Sequence, residues 1–209
     1  KGRGTKEKMK RNFGMAKPEG YRKAIRLMEM AGRFSLPIVT LVDTPGAYPG
    51  IDAEERGQSE AIADSIMRMF DLPVPVVTAV IGEGGSGGAL AIAVADSVLM
   101  QEFSTYSVIS PESCASILWS DSSMAEQAAK VLKLSAPEVK SLGVVDGIIP
   151  EPQGGAHRDY EKAAKLLGDG IQDELTKLIS KSQEDLRAGR LSRFRKMGSE
   201  FLIHSSTEG

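Results

Sequence analysis

The stretch VVTAVIGEGGSGGALAIAVAD, from Val76 to Asp96, combines a β-branched apolar run, a glycine-rich loop and a run of small residues. The apolar run predicts a buried strand, and the small residues predict a helix from Ser86 to Ala95. A strand–loop–helix unit of this kind places the unpaired N–H groups of the first helical turn where an anion can bind. The stretch therefore predicts an α/β fold with a ligand site at this loop.

The loop also fits a dinucleotide-binding pattern. Gly82, Gly84 and Gly87 match G-x-G-x-x-G, and Glu102 lies at the distance where a ribose-binding acid occurs. The predicted helix, however, is only about 15 Å long, which is short for such a crossover. It is also apolar on every side, which disfavours dinucleotide binding. A Walker-type phosphate loop is excluded because the required Lys-Ser/Thr pair is missing.

A second pattern is the nucleophile elbow of hydrolases, G-x-S-x-G, which Gly84, Ser86 and Gly88 match. Ser86 would then need a histidine and an acid to activate it. The chain has two histidines, His157 in a predicted loop and His204 close to the last residue. An α/β hydrolase that uses Ser86 and His157 is therefore an alternative at this point.

Gly87 and Gly88 favour a third interpretation, in which the main chain itself binds the ligand. Without Cβ atoms, a ligand oxygen can approach the N–H groups at the positive end of the predicted helix. Donors of this kind stabilise an oxyanion by about 3 kcal/mol each. The same glycines would also permit close packing of the helix on the strand, and the pattern alone does not separate the two roles.

The rest of the chain alternates between strand and helix patterns. Strands are predicted at 36–43, 74–81, 96–102 and 105–110, with one more after Gly143. Helices are predicted at 17–34, 53–70, 111–119 and 122–134. This order predicts parallel strands joined by right-handed crossovers. We expect a single domain over 1–209, with a basic arm at 1–15 and a helical C-terminal section at 159–209.

Composition excludes several classes of protein. The 209 residues are 41% hydrophobic, which suits one domain with a sizeable core. The formal charge of −2 argues against nucleic-acid binding, and no apolar run is long enough to span a membrane. Cys114 is the one cysteine, so no intrachain disulfide can form and a reducing compartment is expected.

Longer motifs are more specific. RNFGMAKPEGYRKA, DTPGAYPG, AEERGQSEAIA, VIGEGGSGGALAI, STYSVISPESCASILW and IIPEPQGGAHRD occur in this order. Together they resemble the carboxyltransferase α subunits of multisubunit acetyl-CoA carboxylases, from about Gly2 to Leu178. The resemblance implies the crotonase (ClpP/crotonase) fold, a spiral of ββα units, with the N-terminal part of the family fold missing before Lys1. Ser113 departs from the family pattern, which usually has glycine there.

The resemblance implies a cytoplasmic enzyme, or a stromal one in the plastid of a plant or alga. Carboxybiotin on a carrier protein would give its carboxyl group to acetyl-CoA, forming malonyl-CoA in the first committed step of fatty acid synthesis. The N–H groups of Gly87 and Gly88 are implied to hold the ureido oxygen of biotin. The further residues expected in the substrate cleft are Ala47, Tyr48, Gly84 and Gly85.

The resemblance also implies partners. They are a carboxyltransferase β subunit with a zinc ribbon, in an α2β2 heterotetramer, the biotin carboxyl carrier protein, and biotin carboxylase, which alone uses ATP. No metal is implied for this chain. A non-catalytic assembly subunit is a further alternative, against which the intact Gly87–Gly88 pair argues.

Overall fold

A parallel sheet forms the centre of the structure. The computed structural model describes residues 1–2 and 4–199. Within them the strands are β1 (Ile38–Thr44), β2 (Val76–Gly85), β3 (Ser97–Gln101), β4 (Thr105–Ser107) and β5 (Gly147–Ile149). The order is β1-β2-β3-β5, while β4 pairs with the carboxyl end of β2, and all of these pairings are parallel. The fold is therefore α/β, as the sequence predicts.

Helices connect these strands and cover the sheet. The α-helices of the described residues are α1 (Gly4–Lys10), α2 (Pro18–Arg33), α3 (Ile51–Glu54), α4 (Gln58–Asp71), α5 (Ser86–Leu90), α6 (Pro111–Trp119), α7 (Ala125–Leu132), α8 (Ala136–Ser141), α9 (Tyr160–Leu178) and α10 (Gln183–Lys196). Short 3-10 helices lie at Asn12–Gly14, Ser122–Met124 and Ala156–Arg158. No helix among these is long and apolar enough to cross a membrane.

The hydrophobic core lies on both faces of β2. Val76 and Val80 belong to the larger cluster, which includes Met69 of α4. Val77 and Ala79 point to the other face, where α9 supplies Leu178. Because successive side chains of a strand alternate between faces, a central strand covered on both sides is apolar throughout. This explains the continuous apolar run of the sequence.

Two predicted helices differ from the structure. The helix expected over 53–70 is broken at Gly57, whose φ of 77° is left-handed and favours glycine. The helix expected over Ser86–Ala95 ends at Leu90, so the prediction of a ten-residue helix is wrong. The hydroxyl of Thr40 donates to the carbonyl of Ile92 at 2.7 Å. That side-chain bond satisfies a carbonyl in the irregular segment after α5.

Most of the other element predictions are confirmed, including the helix from Pro111 to Trp119. Ser110 caps this helix by accepting from the N–H of Ser113 at 3.2 Å, and its hydroxyl donates to the hydroxyl of Ser113 at 3.1 Å. In the segment predicted as a basic arm, α1 has no buried residue. Arg3, Glu200 and the tail that contains His204 lie outside the described residues.

Arg190 attaches α10 to the sheet. This side chain is 1% exposed, and its Nε and Nη2 donate to the two carboxylate oxygens of Asp96 at 3.1 and 2.9 Å. It also donates to the carbonyls of Leu72 and Val74 at 3.2 and 3.1 Å. Asp96 accepts in addition from the N–H of Val76 at 2.8 Å. One buried ion pair thus joins α10, the α4–β2 connection and the start of β2.

We expect Asp96→Ala to lower the free energy of unfolding by about 3–5 kcal/mol, because the buried guanidinium of Arg190 loses the one carboxylate partner it has within residues 1–2 and 4–199. Urea denaturation of the purified chain measures this difference. The control is Asp169→Ala, which removes an exposed i,i+4 pair with Lys165 and should cost less than about 1 kcal/mol. Equal losses in the two variants would contradict the prediction.

Candidate active site

The glycine-rich segment turns from strand to helix without an intervening loop residue. β2 ends at Gly85 and α5 begins at Ser86, whose φ is 54°. A left-handed conformation costs a non-glycine residue about 1–2 kcal/mol, so the surrounding contacts must hold this turn in place. As a result, the first N–H groups of α5 lie directly at the carboxyl end of β2.

A largely apolar cavity of about 310 Å³ lies beside this turn. Ser86 and Gly87 line it together with Leu90, Tyr106 and Val144. The N–H of Gly87 lies in the first turn of α5 and has no acceptor within residues 1–2 and 4–199. The volume is typical of the small end of ligand pockets, which combine apolar walls with a few polar groups. This cavity is the candidate site.

Gly88 lies on a different cavity, of about 300 Å³, which Tyr21 also lines. Gly88 is buried, and its carbonyl accepts from the hydroxyl of Tyr21 at 3.3 Å. A Cβ at Gly88 would lie 2.2 Å from the main-chain nitrogen of Ala47. The missing side chain therefore permits contact with the loop after β1, rather than approach of a ligand from that direction. The structure brings Ala47 and Gly88 together and opens Gly87 to the candidate site.

Gly84 and Gly85 are also sites of close contact. A Cβ at Gly84 would lie 2.7 Å from the ring of Tyr106, and a Cβ at Gly85 would lie 2.0 Å from the carbonyl oxygen of Pro45. Both glycines thus fix the position of neighbouring groups around the cavity. Their expected contact with substrate stays a prediction.

The loop after β1 is held by its main chain. The N–H of Tyr48 donates to the carbonyl of Ala16 at 3.0 Å, and the hydroxyl of Thr44 donates to the carbonyl of Gly46 at 2.7 Å. The ammonium of Lys17 lies 4.8 Å from the ring centre of Tyr48. Tyr48 therefore contacts the segment before α2, and its expected role in the substrate cleft stays a prediction.

The two tyrosines beside the glycine segment belong to none of the site patterns in the sequence. Burial raises the pKa of Tyr21 to about 12. Burial also raises the pKa of Tyr106, and the positive charge of Arg193 partly offsets this effect. Burial therefore favours the neutral form of both phenols. The sequence does contain a signal for Tyr106 as a residue near the site. It lies in the motif STYSVIS, which contains the short strand next to the glycine segment.

The structure does not join Ser86 to a histidine. His157 is exposed in the 3-10 helix that follows β5, and no hydrogen bond connects it with Ser86 in the described part of the chain. Ser86 instead lines the apolar cavity. The arrangement thus gives no support to the hydrolase alternative.

Solved structures at low sequence identity share this architecture. A Pseudomonas malonate decarboxylase hetero-tetramer in complex with coenzyme A superposes with a TM-score of 0.65 at 18% identity, over 88% of this chain and 76% of that one. The transcarboxylase 12S superposes with a TM-score of 0.60 at 24% identity, over 66% and 29%. The fold is thus the crotonase-like fold of carboxyltransferases.

Residues 1–198 match the family described as acetyl co-enzyme A carboxylase carboxyltransferase-like. The α subunit of acetyl-coenzyme A carboxylase carboxyl transferase from Geobacter metallireducens is 62% identical over 197 residues, which cover 94% of this chain and 62% of that protein. The same subunit from Rhizobium rhizogenes is 59% identical over 198 residues, with 95% and 62% coverage. This chain belongs to that family, as its motifs predict, and spans about 62% of the length of these relatives.

Substitution by alanine should change stability in opposite directions at the two adjacent glycines. A Cβ at Gly87 meets only Ile62, at 3.7 Å, so Gly87→Ala should raise stability by about 0.4–1 kcal/mol. Gly88→Ala overlaps the main chain of Ala47 and should cost about 1–3 kcal/mol. Thermal unfolding of the two variants measures the difference. A lower midpoint for Gly87→Ala than for Gly88→Ala would refute this assignment.

Tyr21 should make stability depend on alkaline pH. In the unfolded chain its phenol ionises near its ordinary value of 10.0, whereas the folded chain retains the proton up to a pKa of about 12. The free energy of unfolding should therefore fall from about pH 10 to pH 12, because the unfolded state binds fewer protons there. Urea titrations of wild type and Tyr21→Phe across this window test it. Equal slopes in the two proteins would show that Tyr21 is not responsible.

Proposed function

We propose that this chain is the carboxyltransferase α subunit of an acetyl-CoA carboxylase. It would transfer the carboxyl group of carboxybiotin, held on a carrier protein, to acetyl-CoA and so form malonyl-CoA for fatty acid synthesis. The observation that supports this most directly is Gly87, which lines an apolar cavity and whose N–H lacks an acceptor among the described residues. Membership of the carboxyltransferase family supports the same reaction.

The residues present fit a biotin ring. A cavity of about 310 Å³ with apolar walls suits a small fused-ring compound, and a main-chain N–H of a residue that lines it suits the oxygen of a urea. When bound, carboxybiotin supplies the carboxyl group, and its urea oxygen gains negative charge as that group leaves. The proton acceptor thus comes with the substrate, and the chain supplies fixed dipoles.

In this proposal Gly87 and Gly88 donate to the urea oxygen from consecutive positions of one helical turn. Because α5 has only five residues, its helix dipole is small. The two N–H groups therefore contribute more than that dipole to the binding of the urea oxygen. Preorganised donors in a site that excludes water are worth about 3 kcal/mol each, or about 10²–10³-fold in rate. Leu90, Val139 and Val144 supply apolar walls beside this turn.

The proposed partners follow from the family. A carboxyltransferase β subunit, which bears a zinc ribbon, would hold the thioester oxygen of acetyl-CoA, and the two subunit types would form an α2β2 heterotetramer. The biotin carboxyl carrier protein would deliver the carboxyl group that biotin carboxylase attaches with ATP. The whole chain, 1–209, would act as one domain, in the cytoplasm or the plastid stroma. We assign no metal to this chain.

Mixing the chain with a β subunit tests this function. We expect acetyl-CoA to form from malonyl-CoA and a free biotin derivative, which is the reverse of carboxyl transfer. Gly88→Ala should reduce the rate about 10²-fold or more, because the displaced loop moves the first turn of α5. Ser86→Gly should retain activity, since the reaction needs no hydroxyl there and glycine suits a φ of 54°.

His157→Ala is the matched control and should also retain activity. Joint loss of activity in Ser86→Gly and His157→Ala would favour the hydrolase alternative. An inactive wild-type complex, in which both subunits are folded and associated, would favour a non-catalytic assembly subunit.

A further inference from the structure

Gln58 is a buried polar side chain whose hydrogen bonds join two separate segments. It is 3% exposed, and its Nε2 donates to the carbonyl of Ala16 at 3.0 Å and to the carbonyl of Tyr48 at 2.8 Å. Ala16 precedes α2, whereas Tyr48 lies in the loop after β1. Both hydrogens of the amide are used by these two contacts.

The oxygen of the same amide is not used. Gln58 Oε1 is buried and has no hydrogen-bond partner in the described part of the chain. A buried unpaired acceptor costs about 1–3 kcal/mol, and an apolar side chain of similar volume would avoid that cost. The two hydrogen bonds of Nε2 offset that cost, so the contribution of the amide at this position lies in its two N–H donors.

These donors act on the loop that contacts the candidate site. Tyr48 is fixed at both its polar main-chain groups, since its N–H donates to Ala16 and its carbonyl accepts from Gln58. The preceding residues of the loop lie against the glycine segment. A Cβ at Gly85 would be 2.0 Å from the carbonyl of Pro45, and a Cβ at Gly88 would be 2.2 Å from the nitrogen of Ala47.

Contacts this close leave no room for independent movement of the loop and α5. A shift of the loop towards α5 must displace the first helical turn, and a shift away from α5 removes the contact that holds that turn. Gln58 is itself placed firmly, because it is the first residue of α4 and this helix packs on α2 and α5. The hydrogen bonds of one side chain thus connect a rigid helix with the N–H groups of the site.

We propose that Gln58 is a positioning residue for carboxyl transfer. Its amide holds Tyr48, Tyr48 holds the loop on Gly85 and Gly88, and the loop fixes the N–H donors of the first turn of α5. Gln58 touches neither the cavity nor the reacting atoms, so its effect passes through the loop. This inference rests on the proposed function only for its expected effect on kcat and KM.

The test uses Gln58→Met and Gln58→Glu in the full natural chain, assembled with its β subunit. Both variants keep the approximate volume and remove both N–H donors. We expect kcat to fall about 10- to 100-fold, because misplacement by about 1 Å is enough for such a loss. KM should change by less than about threefold, since the donors matter most in the transition state. Gln127→Met, an exposed substitution in α7, is the matched control and should leave both constants unchanged.

A second readout does not depend on activity. Hydrogen exchange at the amide of Tyr48 should become faster in Gln58→Met, while the amides of β2 keep their wild-type protection. A purely structural role would instead accelerate exchange throughout the core. Leu178→Val, a substitution on the α9 face of the sheet, is the control for stability. It measures how much kcat falls when the protein is destabilised away from the loop.

The proposal is overturned if kcat of Gln58→Met stays within about twofold of wild type. It is also overturned if exchange at Tyr48 is unchanged, or if Leu178→Val at the same loss of thermal stability reproduces the fall in kcat. An inactive wild-type complex would refute the proposed function instead. In that case hydrogen exchange at the amide of Tyr48 in Gln58→Met is the remaining test. Faster exchange supports the restraint of the loop by Gln58, and unchanged exchange refutes it.

Discussion

The structure depends on a contact between two pieces of main chain with no side chain between them. The loop after β1 lies on the turn from β2 to α5, and a single methyl group at Gly85 or Gly88 would overlap it. Because main-chain atoms are fixed by strand and helix, this contact sets the geometry of the turn more tightly than flexible side chains would. The left-handed conformation of Ser86 persists inside this restraint.

The parallel sheet brings the two segments to the same edge. β1 pairs with β2 in parallel, and the register shifts between Val42 and Thr44, so that Thr44 lies opposite Gly84. The loops that follow both strands therefore leave from neighbouring points. At the other end of β2, Arg190 and Asp96 attach the C-terminal helix to the start of the strand. The site and the buried ion pair thus occupy opposite ends of one central strand.

A site made of main-chain groups leaves an ambiguous sequence signature. Any glycine-rich turn into a helix resembles patterns for dinucleotides or for a nucleophilic serine, because spacing is all that those patterns test. The structure separates them by what surrounds the turn. An apolar cavity meets Ser86 and Gly87, whereas His157 is exposed after β5. Fixed N–H dipoles in an apolar cavity are the arrangement that stabilises charge on a ligand oxygen.

The sequence by itself determined the strands, the ends of α6, the parallel α/β fold and the family, because periodicity, caps and long motifs are local properties of the chain. Only the tertiary structure decided which glycine faces the cavity, where α5 ends and what Gln58 holds. Gly87 and Gly88 are identical in sequence terms. They differ in their surroundings because a distant loop packs on Gly88, and such a contact has no periodic signal in the chain.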